Sequence, residues 1–98
     1  MKSDGPFPSL RRLCGVYLHQ DFDVHGPRPE DAVAAFSRDL DPAGRAALRA
    51  EIARFLALHD SDAARLAALD RFRFAVDLSR FGYASAADFL AKVVEIAT

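Results

Sequence analysis

Residues with a branched β-carbon are scarce in this chain, which has six valines, two isoleucines and one threonine among its 98 residues. Such residues favour the pleated surface of a β-sheet, whereas the alanine and leucine that dominate the apolar residues here are strong helix formers. With 51% hydrophobic residues, the chain can bury one modest core and leaves no room for a second domain. The composition predicts a single all-α domain over residues 1–98, a compact bundle of four to five helices.

Each predicted helix begins at a residue that suits a helix N-terminus. Serine and aspartate side chains accept the unpaired N–H groups of a first turn, and proline is favoured at the first helical position. Residues 1–8 contain no apolar stretch, so they predict neither a secretory signal nor a membrane span. Residues 1–7 are predicted to form a flexible tail, and the helices to begin at Ser9, Pro29, Asp41–Pro42, Ser61 and Ser85.

Residues 72–78 alternate between apolar and polar side chains. Phe72, Phe74, Val76 and Leu78 alternate with Arg73, Ala75 and Asp77, the period-two pattern of a half-buried extended segment. No partner strand is evident for it, so the same residues can also be interpreted as a continuation of the fourth helix. Both interpretations end this segment at Gly82.

Charge is unevenly distributed along the chain. The formal net charge of −1 excludes binding to nucleic acid through bulk electrostatics. From residue 20 to residue 41, however, six acids face only Arg28 and Arg38, whereas seven arginines outnumber five acids from residue 42 to residue 83. The protein is therefore predicted to be dipolar, and its candidate acidic surface comprises Asp21, Asp23, Glu30, Asp31, Asp39 and Asp41.

Two aromatic residues flank the first acids of this stretch. Tyr17 and Phe22 fall on the same helical stripe as Leu18, so burial is the favoured interpretation for both. Aromatic side chains are also frequent anchors of protein interfaces. Phe22 is therefore kept among the candidate partner-binding residues.

Alternate positions from residue 19 to residue 25 carry metal-ligating side chains. In an extended backbone, His19, Asp21, Asp23 and His25 would project to one side and suit Zn²⁺ or Mn²⁺. If the first helix continues through Phe22, these side chains cannot converge. Solvated polar groups at a helix end are the favoured interpretation, so no metal or other cofactor is predicted.

The chain has no glycine-rich phosphate loop, no paired-cysteine motif and no nucleophile elbow, so catalysis is not predicted. Cys14 is the only cysteine and falls on a predicted core face, where it acts as a small hydrophobe. A group of arginines and aromatic residues near residue 75 is superficially similar to a nucleic-acid surface; its members are Arg71, Arg73 and Arg80 with Phe72, Phe74 and Tyr83. The alternation places Phe72 and Phe74 inward, which argues against that interpretation.

The segment from Leu10 to Asp23, LRRLCGVYLHQDFD, resembles a signature of the immunity proteins of bacterial contact-dependent growth inhibition systems. That signature contains leucine, tyrosine, an aliphatic or aromatic residue, His-Gln-Asp, an aromatic residue and Asp. Residues 29–36 look like the second helix of this family and residues 48–52 like its third. The final helix that the family places near residues 85–96 contains Phe89 here in place of a tryptophan.

The resemblance implies a cytoplasmic, non-enzymatic protein that binds the C-terminal toxin domain of a growth-inhibition effector. Many such toxins are nucleases, and an acidic surface suits a cleft that binds phosphates. The partner-binding residues are predicted to be Asp21, Phe22, Asp23, Glu30, Asp31, Asp39 and Asp41. The alternatives are a helical adaptor or regulator that binds another basic partner and, ranked last, a small metal-binding protein.

Overall fold

The computed structural model describes residues 7–19, residue 24 and residues 26–98. Within these residues it contains five α-helices and no β-strand, which confirms the all-α prediction. A π-helical turn, Leu13–Tyr17, follows the first helix directly, and a 3-10 turn, Leu78–Phe81, precedes the last. The helices are α1 (Pro8–Arg12), α2 (Pro29–Asp39), α3 (Pro42–Leu58), α4 (Asp62–Arg71) and α5 (Ala86–Ile96).

The N-terminus of α1 is capped by a residue distant in sequence. The predicted cap at Ser9 is wrong, because the cap position is Phe7, in a left-handed conformation with φ of 64° and without a capping side chain, and Pro8 is the first helical residue. The acceptor comes from α3, where Glu51 Oε1 receives the Leu10 N–H at 3.0 Å. Glu51 is only 4% exposed, so a buried carboxylate from another helix satisfies a donor of the first turn.

The later helices begin where the sequence predicts. Asp41 Oδ1 accepts a first-turn N–H of α3 at 2.7 Å, and Ser61 Oγ accepts one in α4 at 3.1 Å. Ser85 Oγ does the same in α5 at 3.1 Å, and Asp62 Oδ1 accepts the N–H of the first residue of α5 at 2.7 Å. Local capping therefore defines these three starts, and the start of α5 is also tied to α4.

At the C-terminal ends of three helices, carbonyl groups accept hydrogen bonds from an arginine side chain of a neighbouring helix. Arg45 and Arg49 of α3 donate to carbonyls at the ends of α2 and α5, and Arg65 of α4 donates to the end of α3. A guanidinium suits this position because the last carbonyls of a helix lack partners and carry partial negative charge. The acceptors are Ser37 (3.0 Å) and Leu40 (2.6 Å) for Arg45, Ala97 (2.6 Å) for Arg49, and His59 (2.6 Å) and Leu56 (3.1 Å) for Arg65.

The segment after α4 turns at residues 72 and 73 and has no helical structure over residues 74–77, and its predicted alternation is confirmed in its burial. Residues 72, 74, 76 and 78 are buried, whereas residues 73, 75 and 77 are exposed. The alternative, that these residues continue the fourth helix, is wrong, because α4 ends at Arg71 and Arg73 has a positive φ of 70°. The segment forms no ladder, but the Ala75 N–H bonds to the Leu18 carbonyl at 3.0 Å. Gly82, with φ of 88°, ends the 3-10 turn that follows.

The core collects apolar side chains from every helix around Phe55. The Phe55 ring lies 5.5 Å from that of Phe7 and 5.9 Å from that of Phe72, so it joins the start of the chain to the segment after α4. Phe7 was predicted to belong to the tail and is 6% exposed; residues 1–6 lie outside the described residues. The fully buried large side chains are Leu10, Leu13, Leu18, Pro29, Val33, Leu48, Ile52, Phe55, Leu69, Phe89, Leu90 and Val93.

Cys14 lies in this core, as its position on the apolar stripe predicts. It is 1% exposed, and burial raises the pKa of its thiol to about 12. A thiol with so little thiolate at neutral pH is a poor nucleophile. Cys14 is therefore a packing residue in this fold.

Candidate partner-binding surface

The seven predicted partner-binding residues divide into two groups. Asp21, Phe22 and Asp23 lie outside the described residues. The other four lie at the two ends of α2 and at the start of α3, and we call them the acidic band. Its members are Glu30, Asp31, Asp39 and Asp41.

Glu30 joins the start of α2 to the region around the 3-10 turn. Its carboxylate accepts two hydrogen bonds from the Arg28 guanidinium, at 3.2 and 3.0 Å, and a third from the Tyr83 hydroxyl. Arg28 also donates to the Phe81 carbonyl at 3.0 Å. A two-point pairing of arginine with carboxylate has defined geometry, so this network orients Glu30 and brings Tyr83 against α2.

The network shifts the pKa values of the Glu30 carboxyl and the Tyr83 phenol. Burial alone would raise the pKa of the Glu30 carboxyl, but the hydrogen bonds from Arg28 and Tyr83 outweigh it and keep that pKa below its usual value. Burial, with the added effect of Glu30, raises the pKa of the Tyr83 phenol to about 12. At neutral pH the pair is therefore a carboxylate and a neutral phenol.

Replacing Tyr83 with phenylalanine is expected to lower the free energy of unfolding by about 1 kcal/mol near neutral pH, because one hydrogen bond to a carboxylate is lost. The stabilisation by Glu30 is present above its unfolded pKa of 4.5 and declines as the pH falls through its lower folded value. The stabilisation by Tyr83 is present below its unfolded pKa of 10.0 and declines as the pH rises towards about 12.

Urea unfolding across this pH range measures the stability difference between wild type and Tyr83→Phe. The difference is expected to be largest on the plateau between the two unfolded pKa values and smaller on either side. Glu95→Gln, on the exposed side of α5, is the control and should stay within about 0.5 kcal/mol of wild type. A difference that is constant at every pH contradicts the coupling of Glu30 to Tyr83.

The other three acids of the band also make intramolecular hydrogen bonds. Asp31 accepts the Arg28 backbone N–H at 3.1 Å, and Asp41 is the cap of α3. Asp39 accepts the Tyr17 hydroxyl at 3.0 Å, and this bond raises the pKa of that phenol. Each described acid therefore has a structural role in addition to its charge.

The rotation of α2 determines how the acids are arranged. Glu30 and Asp39 are nine residues apart, which places them half a turn from each other around the axis and about 14 Å apart along it. Asp31 and Arg38 lie between them on the exposed side of the helix. The acids that are clustered in sequence are thus spread around the exposed half of α2, between the Tyr83 side and the Tyr17 side.

Sequence reasoning missed several residues of this surface. Tyr83 was grouped with the arginines near residue 80, although it faces Glu30. Tyr17 was interpreted as core, whereas it is half-buried, with its ring 5.1 Å from that of Phe36 and its hydroxyl on Asp39. No local signal predicts either pairing, because the partners are 53 and 22 residues apart.

The metal-site alternative cannot be placed in the fold. Asp21, Asp23 and His25 lie outside the described residues, and only His19 of that group is described. Among the residues that the structure does describe, no three His, Cys, Asp or Glu side chains are close enough together to hold a metal ion. Nor is any helix in this part of the chain both long enough and apolar enough to cross a membrane.

Fold and surface together define a small all-α protein that exposes acidic side chains around its second helix. Residues 6–97 match the family model described as CdiI immunity protein. The chain therefore belongs to the CdiI immunity protein family, whose members neutralise the toxins of contact-dependent growth inhibition systems. A search of curated proteins and a search of solved structures found no match.

Proposed function

We propose that this protein neutralises the C-terminal toxin domain of a contact-dependent growth inhibition effector in the cytoplasm, by covering the active or substrate-binding site of that domain. The match to the immunity family over residues 6–97 carries this proposal. The protein acts by binding and catalyses no reaction. The toxin is proposed to be a nuclease.

The acidic band supports the choice of a nuclease. A cleft that binds RNA or DNA is lined with basic side chains, and it attracts a surface of the opposite charge. The described part of the proposed interface contains four acids and two arginines, Arg28 and Arg38, and Arg28 is paired with Glu30. Such a surface steers association and excludes phosphates from the cleft that it covers. Asp21, Phe22 and Asp23 are proposed to extend this interface.

Calorimetric titration of the protein with the C-terminal domain of the effector encoded beside it tests the role. We expect a dissociation constant in the nanomolar range, which corresponds to a binding free energy of about −12 kcal/mol. We also expect weaker binding as the salt concentration is raised, because ions screen the attraction between opposite charges. Tight binding that is indifferent to salt would contradict the acidic interface and leave the immunity role intact. Absence of binding contradicts the role and favours the adaptor alternative.

The band can be neutralised while one hydrogen-bond acceptor oxygen is retained at each position. Asparagine caps a helix as well as aspartate does, so amide replacements remove charge and leave an oxygen in each position. We expect the neutralised variant to associate with the toxin domain at least about tenfold more slowly at low salt, with a smaller change at high salt. The substitutions are Glu30→Gln, Asp31→Asn, Asp39→Asn and Asp41→Asn.

A matched control removes the same number of negative charges from exposed positions elsewhere. It should change the association rate by less than about threefold, because its charges lie away from the proposed contact. Equal effects of the two variants would show that only net charge matters and would contradict the interface. A further variant, Asp21→Asn with Phe22→Ala and Asp23→Asn, tests the remaining proposed contacts. The control substitutions are Asp60→Asn, Asp70→Asn, Asp88→Asn and Glu95→Gln.

A further inference from the structure

A groove of about 330 Å³ lies between α4 and the extended segment that follows it. Asp62 and Leu66 of α4 form one side, and Val76 and Asp77 form the other. Tyr83 also lines the groove, and the same side chain donates its hydroxyl hydrogen to Glu30. Tyr83 therefore connects the groove to Glu30 of the acidic band.

Val76 lines this groove, and its backbone has no hydrogen-bond partner among the described residues. In an extended chain, successive residues direct their N–H and C=O groups to opposite sides. The Ala75 N–H bonds to the Leu18 carbonyl at 3.0 Å, and the Phe74 N–H bonds to the Leu69 carbonyl of α4 at 3.1 Å. Val76 follows Phe74 on the α4 side, and within the described part of the chain its N–H and C=O make no hydrogen bond.

The side chains around Val76 combine an apolar surface with negative charge. Leu66 is 41% exposed, whereas most leucines of this fold are buried. The Asp77 carboxylate accepts a hydrogen bond from the Ser79 hydroxyl at 2.8 Å, and that bond keeps the pKa of the carboxyl below its usual value. The Asp62 carboxylate accepts the Ala86 N–H at 2.7 Å. Asp62 and Asp77 both line the groove. The neighbouring Arg80 does not line it, and its guanidinium lies 5.3 Å from the centre of the Phe81 ring.

We propose that this groove binds one extended segment of the toxin domain, and that the backbone of this segment exchanges two hydrogen bonds with Val76. An unpaired N–H and C=O pair beside apolar and charged pockets is the arrangement to which a partner adds a strand. The segment places an apolar side chain against Leu66 and lysine or arginine side chains towards Asp62 and Asp77. This inference rests on the proposed function and adds a second, backbone-mediated contact to the acidic band.

Two exposed leucines provide a matched pair of variants. Leu66→Arg places a positive charge in the groove, whereas Leu58→Arg makes the same change at a position that is 66% exposed on α3 and outside the groove. Leu66→Arg is expected to weaken binding of the toxin domain at least about tenfold, and Leu58→Arg less than about twofold. Circular dichroism checks that both variants keep the helical fold.

Amide hydrogen exchange of the wild-type protein tests the backbone pairing directly. The Val76 N–H is expected to exchange at least about tenfold more slowly in the complex than in the protein alone. The Ala75 N–H serves as an internal reference, since it is already bonded to Leu18 without the toxin.

The outcomes separate this inference from the proposed function. If wild type binds the toxin domain, but Leu66→Arg binds as well as Leu58→Arg and Val76 exchange is unchanged, the groove inference is overturned and the immunity role stands. Equal weakening by both variants also overturns it. Slow exchange of Val76 in concentrated protein without toxin would assign the groove to a second copy of the chain. If wild type does not bind the toxin domain, both the role and the inference fail.

Discussion

Phe55→Ala is expected to lower the free energy of unfolding by about 3 to 5 kcal/mol, the range for loss of a fully buried phenylalanine. Phe55 is completely buried, and its ring contacts those of Phe7, His59 and Phe72. Truncation leaves a cavity where the start of the chain, α3 and the segment after α4 meet. In a domain of this size the melting temperature should fall by more than about 12 °C.

The measurement is urea and thermal unfolding of wild type, Phe55→Ala and Leu58→Ala. Leu58 lies three residues further along α3 and is 66% exposed, so its truncation should change stability by no more than about 0.5 kcal/mol. A loss below about 1 kcal/mol for Phe55→Ala would mean that the core is not organised around this ring.

Glu51→Ala has the second largest expected effect and should lower the free energy of unfolding by about 2 to 3 kcal/mol. The carboxylate accepts the N–H of Leu10, and Leu10 is completely buried. Removing the acceptor leaves that donor without a partner in the interior, where an unsatisfied polar group carries its full desolvation cost. The charge of the carboxylate also lies at the positive end of α1, and that favourable interaction is lost as well.

Glu51→Gln separates the two contributions. Its amide oxygen can still accept the Leu10 N–H, so it should lose less than half as much stability as Glu51→Ala. Urea unfolding at neutral pH gives the stabilities, and exchange of the Leu10 amide hydrogen reports on the cap itself. Equal losses for the alanine and glutamine variants would show that the charge matters and the hydrogen bond does not.

The features that the sequence predicted correctly depend on neighbouring residues. The caps at Asp41, Ser61 and Ser85 each involve residues three apart, and the alternation over residues 72–78 reflects burial on one side of an extended chain. Local hydrogen bonding and side-chain periodicity are visible in a sequence because they depend on short separations.

The features that sequence reasoning missed involve long separations. Glu51 caps a helix 41 residues away, and no local pattern identifies its partner. One signal was available, because Glu51 falls three residues after Leu48 and four before Phe55, on the apolar stripe of α3. An acid at such a position indicates a buried acceptor. The pairing of Tyr83 with Glu30 offers no such signal.

The candidate surface was predictable only as a list of acids. Their sequence clustering between residues 20 and 41 is evident, but the rotation of α2 separates Glu30 from Asp39. The groove was not predicted at all, since it depends on how α4 packs beside the segment that follows it.

The charged residues of this protein fall into two sets, and the first set consists of residues that bond to the ends of helices. Arg45, Arg49 and Glu51 tie the ends of α2, α5 and α1 to α3. By contrast, Glu30 bonds to Arg28 and Tyr83, and Asp39 bonds to Tyr17, so neither takes part in these ties to α3. Changes at these two positions alter what the surface attracts while the three ties to α3 stay in place. An immunity protein with this architecture can thus diverge towards a different toxin on the two flanks of α2 without rebuilding its scaffold.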